Sequence, residues 1–246
     1  MVLKDTEKLK SKTTYRAKFT ETQIDTLSGI KPDTKRRRIT PEEAFSIWVL
    51  SHLLAGIRFT DLMMLRYRNF HLDEADNPVQ LSYTMSKTGN VVNLPLFDEA
   101  QDLLKRWWKA GAQPDSYLLP YLRMNEPYSR YNTREELQKA SFEVRRMLDT
   151  RLHYWNDKIN TVLALIQKEA KLKDNLRMHN ARHSFADLAR RIMQEDNSIT
   201  LLDITLMLGQ RDPKMVMHYI EGMENQDASK PMGAVFNRKK KEGIAN

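Results

Sequence analysis

"NLRMHNARHSFADLA", residues 175–189, puts His179, Arg182 and His183 within five positions at the start of an amphipathic helix. Two histidines and an arginine so close together have two readings. They pack and cap the helix, or they hold something negatively charged. The rest of the chain chooses between the two.

The sequence has 246 residues, enough for one large domain or two small ones, and 41% of them are hydrophobic, so a core can form. Cysteine is absent. That excludes a disulfide framework and cysteine–zinc sites and suits a reducing compartment. No apolar run reaches bilayer length, and the charged N-terminus lacks a signal-peptide core. The expectation is a soluble, cytoplasmic protein with no membrane partner. Lysine and arginine number 40 against 32 acidic residues, a net charge of +8 and a pI near 9.5. Such an excess favours nucleic acid or another polyanion as partner.

Residues 1–39 read as a polar, basic linker followed by a leading helix, "TETQIDTLSGI", and the basic loop "KPDTKRRR". Thr40-Pro41-Glu42-Glu43 is a helix start: Thr40 as N-cap, Pro41 at the first helical position, Glu43 closing a capping box. The helix it opens is apolar on more than one face, so it should be buried, with Gly56 as its stop. A second helix, "TDLMMLRY", follows. The period then changes: "VQLSYTM" and "NVVNLPL" alternate like strands around a turn with Gly89-Asn90 at its tip. "FDEAQDLLKRWWKAG" returns to helical period, and residues 123–178 are mostly helical. "TLLDITLMLG" ends at Gly209, and "DPKMVMHYIEGM" is a last helix with Asp212 as N-cap and Pro213 next. The fold class is therefore mainly α with a small antiparallel β-sheet (α+β). Its expected organisation is a linker and leading helix over 1–39, one domain over 40–223, and a mobile tail over 224–246.

Four separated pieces carry candidate chemistry. Arg58 and Asp61 lie three apart near a helix start, with Leu62 and Leu65 as core anchors. Lys87 sits at the hairpin turn. His179-x-x-Arg182-His183 is the third piece. Gln210 follows a helix stop, and Tyr219 comes nine residues later. Each has a bland reading in isolation. Arg58 and Asp61 make an i,i+3 surface pair. Lys87 is a solvated turn residue. Tyr219 packs in a core. His179 and His183 at i,i+4 resemble a metal pair, but "HNARH" lacks the glutamate of H-E-x-x-H, so no metal is expected.

Together, in this order, the pieces resemble the catalytic domain of the tyrosine recombinases, the phage-type integrase family. Arg58, Asp61 and Leu62 fit the family's "LRxxEL" segment, with Asp61 in place of the usual glutamate. Lys87 fits its hairpin lysine, and His179, Arg182 and His183 fit its H-x-x-R-H box. Leu208-Gly209-Gln210 fits its "LGH" box, with Tyr219 at the spacing of the nucleophile. The resemblance spans roughly residues 40–222 and implies the tyrosine recombinase catalytic-domain fold. Gln210 is a departure, since the family has histidine there and sometimes tryptophan. The chain also begins just upstream of the catalytic domain, where complete members carry a helical core-binding domain, so a catalytic fragment or a short member is expected.

The reaction the resemblance implies is phosphoryl transfer without a metal or other cofactor. A tyrosine attacks a DNA phosphodiester, the 5′-hydroxyl leaves, and a 3′-phosphotyrosyl link stores the energy for religation. Stabilising charge on the non-bridging oxygens is the main task. Arg58 and Arg182 offer planar forks that stay charged. Tyr219 must lose a proton from a phenol whose ordinary pKa is near ~10. His179 takes or returns a proton, Lys87 protonates the departing oxygen, and Gln210 donates one neutral hydrogen bond. Asp61 supports an arginine, and His183 orients the site from behind. The implied partners are duplex DNA and further copies of the chain, a tetramer on DNA, with an accessory DNA-bending or directionality factor as a further candidate. The expectation is a site-specific recombinase, the integrase of a bacterial mobile element. Its rivals are a DNA-binding protein of this fold that has lost strand exchange, a histidine-metal hydrolase, and a type IB topoisomerase or telomere resolvase.

Overall fold

A computed structural model describes residues 17–34, 38–195 and 199–210. Residues 1–16, the helix expected over 212–223, Tyr219 and the tail over 224–246 lie outside the described residues.

The first helix, α1 (Glu21–Ser28), starts where Thr20 and Gln23 close a capping box. The second, α2 (Pro41–Leu53), starts at Thr40, whose hydroxyl accepts the Glu43 backbone N–H at 3.1 Å. The expected reciprocal bond from Glu43 is replaced: its carboxylate accepts the Tyr121 hydroxyl at 2.6 Å. Tertiary contact outcompetes the cap here, because a phenol packed beneath the helix start needs an acceptor. The α2 helix is apolar all round, with Phe45, Ile47, Trp48 and Leu50 all buried, as befits a helix surrounded by others. It ends through Leu54, with Ala55 and Gly56 both at positive φ. Helix α3 (Phe59–Met64) follows. Leu62 and Leu65 are buried as anchors.

A three-stranded antiparallel sheet comes next: β1 (Phe70–Leu72), β2 (Pro78–Thr84) and β3 (Val91–Pro95), in that spatial order. The hairpin pairs Leu81 with Leu94 and Tyr83 with Val92, all four buried, so one face carries the core. Its connection runs from Met85 to Asn90, closed by Met85 N–H to the Asn90 carbonyl at 2.8 Å, with Gly89 at φ 72°. Strand β1 is an addition to the expected hairpin. Three residues are too short to show alternation.

Helix α4 (Asp98–Leu104) is shorter than its periodic pattern and gives way to turns before Gly111. The region expected as mostly helical resolves into α5 (Arg134–Lys139) and one 28-residue helix, α6 (Phe142–Glu169). Leu148, Leu152, Trp155, Ile159, Leu163 and Ile166 form the buried stripe of α6. Helices α7 (Met178–Glu195) and α8 (Leu201–Met207) complete the set, with Thr200 and Asp203 closing a capping box for α8. Helix α2 packs against α7, α6 and α4 and forms the centre. A smaller apolar cluster of Ala186, Ala189, Ile204 and Leu208 joins α7 to α8. The leading segment is fastened too: Phe19 N–H donates to the Ser184 hydroxyl at 2.8 Å, and Lys18 pairs with Asp187 at 3.0 Å. No helix among the described residues is long and apolar enough to cross a membrane.

Candidate functional site

Arg58 is the N-cap of α3, with extended backbone angles that turn it out of the helix. One of its nitrogens, Nη1, lies 3.7 Å from Met85 Sδ at the base of the hairpin. Arg182 sits in the first turns of α7, is only 3% exposed, and therefore needs acceptors around its charge. It donates Nη1 to the Gly56 carbonyl at 2.9 Å and Nη2 to the Leu208 carbonyl at 2.7 Å. These carbonyls belong to the turns that close α2 and α8, where main-chain acceptors are left over and the helix dipole is negative.

Gln210 connects the two arginines. An amide nitrogen facing two guanidinium groups would set donors against donors. With the oxygen turned toward them, Gln210 accepts from Arg182 Nη2 and from Arg58 Nη2, each at 2.9 Å. Its amide NH2 is then the end left to donate. Two guanidinium groups from elements more than a hundred residues apart thus share one oxygen.

Asp61, read in isolation as half of a surface pair, is 4% exposed. Its Oδ1 accepts the backbone N–H of Ser86 at 2.8 Å, the residue before Lys87. Burial raises the Asp61 pKa, against the Ser86 hydrogen bond and the nearby charges of Arg58 and Arg182. Asp61 thus grips the hairpin and sits in the field of both arginines. Lys87 itself is exposed in the hairpin connection. His179 is exposed one turn before the buried His183, and their rings meet edge to face at 4.3 Å.

A cavity of about 290 Å³ opens beside Arg58, His179 and Arg182. Lys87 and Gln210 do not line it. Its opposite wall is α6, through Asp149, His153 and Asn156. That wall escaped the sequence reading. The i,i+4 spacing of Asp149 and His153 was its only trace. Gly56 is a second omission: a Cβ there would come within 2.7 Å of Arg182 Cα. Asn90 is a third, donating Nδ2 to the Gly209 carbonyl at 2.8 Å and tying the hairpin to the end of α8. A fourth is His52, which stacks on Trp48 and faces the Ala181 carbonyl at 3.3 Å beneath the site. Tyr219 lies outside the described residues. Among the described residues no group of three or more His, Asp or Glu side chains could hold a metal ion.

Chemically, the arrangement can bind an anion. Two arginine forks, a neutral amide and an exposed imidazole converge from α3, α7 and the segment after α8. Main-chain carbonyls preorganise Arg182, and the Gln210 oxygen joins Arg58 to it, so the pair needs little reordering to meet a phosphate.

Comparison with known proteins bears on the fold. No curated protein matches the chain in sequence. Among solved structures, the Tn1549 transposon integrase in complex with transposon right-end DNA is similar over 97% of this chain and 69% of that one, with 15% identity and a TM-score of 0.53. A second structure of that integrase, in complex with a circular intermediate DNA, gives a TM-score of 0.55 at 15% identity, over 92% of this chain and 68% of that one. The XerH site-specific recombinase bound to a palindromic difH substrate gives a TM-score of 0.52 at 13% identity, over 89% of this chain and 52% of that one. This chain spans about half of the XerH chain. At such identities the likeness concerns the fold, which is that of the tyrosine recombinase catalytic domain. The phage integrase family pattern matches residues 19–226 of the sequence. Matched over most of its length and sharing that fold, the chain belongs to the phage integrase family.

Proposed function

We propose that the chain is the catalytic domain of a site-specific tyrosine recombinase, the integrase of a mobile element, spanning residues 40–223. Residues 1–39 lead into it, and residues 224–246 serve assembly of a tetramer on duplex DNA. The observation that carries this reading is the meeting of Arg58 and Arg182 on the Gln210 oxygen, beside a cavity that His179 also lines. The DNA in the Tn1549 and XerH complexes supports duplex DNA as the substrate.

In this mechanism the scissile phosphate sits between the arginine forks. The Tyr219 oxygen attacks phosphorus, and its phenolic proton passes to His179. The bond from phosphorus to the 5′-oxygen breaks, and the Lys87 ammonium gives that oxygen its proton. The product is a 3′-phosphotyrosyl link with a free 5′-hydroxyl. Religation by an incoming 5′-hydroxyl reverses each transfer, so no external energy source is required. Arg58 and Arg182 stabilise the extra charge on the non-bridging oxygens, and the Gln210 amide adds a neutral donor. Asp61 holds the hairpin that carries Lys87, and His183 backs the His179 ring.

Covalent trapping tests the reading. Wild type and Tyr219→Phe are incubated with nicked suicide duplexes carrying a randomised core and resolved on denaturing gels. The expected outcome is a protein–DNA adduct with wild type and none with Tyr219→Phe, at similar noncovalent affinity. Binding with no adduct from wild type would favour a DNA-binding protein that has lost strand exchange.

A further inference from the structure

The stretch that carries His179 and Arg182 also holds Asn180, which the proposed reaction does not use. Asn180 is 9% exposed, and both ends of its amide are bonded. Its Oδ1 accepts the backbone N–H of Arg177 at 2.8 Å. That bond caps the start of α7, where the leading N–H groups have no partner inside the helix. Its Nδ2 donates to the Ala17 carbonyl at 3.0 Å, across 163 residues of chain.

One turn on, the buried Ser184 hydroxyl accepts the Phe19 N–H at 2.8 Å, and a turn further Asp187 meets Lys18 at 3.0 Å. Positions 180, 184 and 187 share one face of α7. Residues 17–19 therefore lie along that face as a strap, just before α1 begins. The buried Phe19 ring meets Trp48 edge to face at 5.9 Å, and Trp48 Nε1 donates to the Arg177 carbonyl at 3.0 Å. Both main-chain groups of Arg177 are thus held by side chains that also touch the strap.

A buried asparagine at a helix start usually only caps, and a cap needs the oxygen alone. The Asn180 NH2 is committed instead to a distant segment. Asn180 also adjoins His179 and precedes Arg182 by two positions, in the turn on which the anion site is built. Ser184 repeats the link where burial makes an orphaned donor costlier than the bond itself. The Lys18–Asp187 pair is partly exposed and adds little.

We infer that Asn180 is a positioning residue: with Ser184 it locks residues 17–19 onto α7, and that strap sets the angle at which His179 and Arg182 meet the phosphate. The inference rests on the recombinase reading for what α7 does. Seating of the strap is then a condition for the chemical step, which needs exact orientation, more than for holding DNA, which is spread over many phosphate contacts.

The test uses the full chain and reads three quantities: the plateau rate of covalent capture, the half-saturating concentration of suicide duplex, and backbone amide exchange. Asn180→Ala loses the cap and the strap bond together. Ser184→Ala loses a strap bond alone and leaves the Arg177 cap in place. Both should slow the plateau rate about tenfold, with half-saturation within about twofold of wild type, under conditions where urea unfolding shows them folded. Ser184→Ala should also speed exchange at Phe19 and through residues 178–183, and leave Ile159 and Leu163 of α6 unchanged. Thr26→Ala removes a hydroxyl bonded to the Thr22 carbonyl within α1 and should match wild type. A wild-type plateau rate in folded Ser184→Ala, or exchange that rises at Phe19 alone, would overturn the strap's role. If wild type itself forms no adduct, the recombinase reading falls. The exchange pattern then still decides whether the strap holds the turn that carries His179 and Arg182.

Discussion

Gly56 has a φ of 66°, and its backbone lies against Arg182 with no room for a methyl group. Two demands thus fall on one residue: a left-handed turn to end α2, and a close approach that lets its carbonyl accept a hydrogen bond from Arg182 Nη1. Gly56→Ala should cost about 1–3 kcal/mol in urea unfolding. It should also lose covalent capture of DNA by more than tenfold under conditions where the variant is still folded. Gly29→Ala provides the contrast. Its φ is −82° and the nearest atom to an added Cβ is 3.8 Å away, so stability should stay within about 0.5 kcal/mol of wild type. The sequence marks Gly56 as a helix stop and Arg182 as a phosphate fork. Their contact joins residues 126 apart, and no local pattern reports it. Gln210 is similar. Its type suggests a donor, and only the two guanidinium groups facing it reveal an acceptor as well.

The hairpin connecting β2 and β3 is fixed at both ends by other elements. Asp61 of α3 holds the Ser86 N–H, and Asn90 holds the Gly209 carbonyl after α8. Gly209, at φ 59°, packs so tightly on the hairpin that a Cβ would lie 2.3 Å from Met85 Sδ. Lys87 is thereby presented from a restrained loop. Asp61→Ala should remove a charge-assisted hydrogen bond worth ~1.5–3 kcal/mol. It should slow covalent capture about tenfold to a hundredfold, speed amide exchange at Ser86, and leave duplex affinity near wild type. Asp61→Asn keeps an oxygen acceptor and should recover much of the rate. Unchanged capture in Asp61→Ala would show that the hairpin needs no anchor. At this scale alternation in residues 79–96 shows the strands, and Gly89-Asn90 shows the turn. Strand β1 is too short for any period. The partner of Glu43 was hidden because the chain lengths between Glu43 and Tyr121 say nothing about which cap wins.

Across the whole molecule, the helix order and the central burial of α2 are legible from apolar periodicity, while the cleft is not. A cleft is the space between elements, and periodicity describes each element alone. The burial of His52 is a property of the assembled core and gives the protein a pH dependence. Desolvation lowers its pKa below the ordinary 6.5, with the Ala181 carbonyl acting in the other direction. Above that pH His52 is neutral folded or unfolded and contributes no slope. As pH falls below 6.5, the unfolded chain takes up a proton that the native state resists, and stability drops by up to ~1.4 kcal/mol per pH unit. Asp61, with its raised pKa, works in the opposite sense at lower pH. Urea midpoints of wild type and His52→Gln, compared between about pH 7.5 and 5.5, isolate the histidine: the variant should show the flatter profile. Parallel profiles would exclude His52 as the source.

Arg182 bonds at once to a carbonyl ending α2, a carbonyl ending α8, and the Gln210 oxygen just beyond. If the centre cuts DNA as proposed, a half-built one is hazardous, and this wiring would act as an interlock. If α8 comes away, the Leu208 and Gln210 acceptors leave together, and the fork goes slack. Under the proposed function, a newly made or partly opened copy would then be unable to cut DNA until α8 is seated.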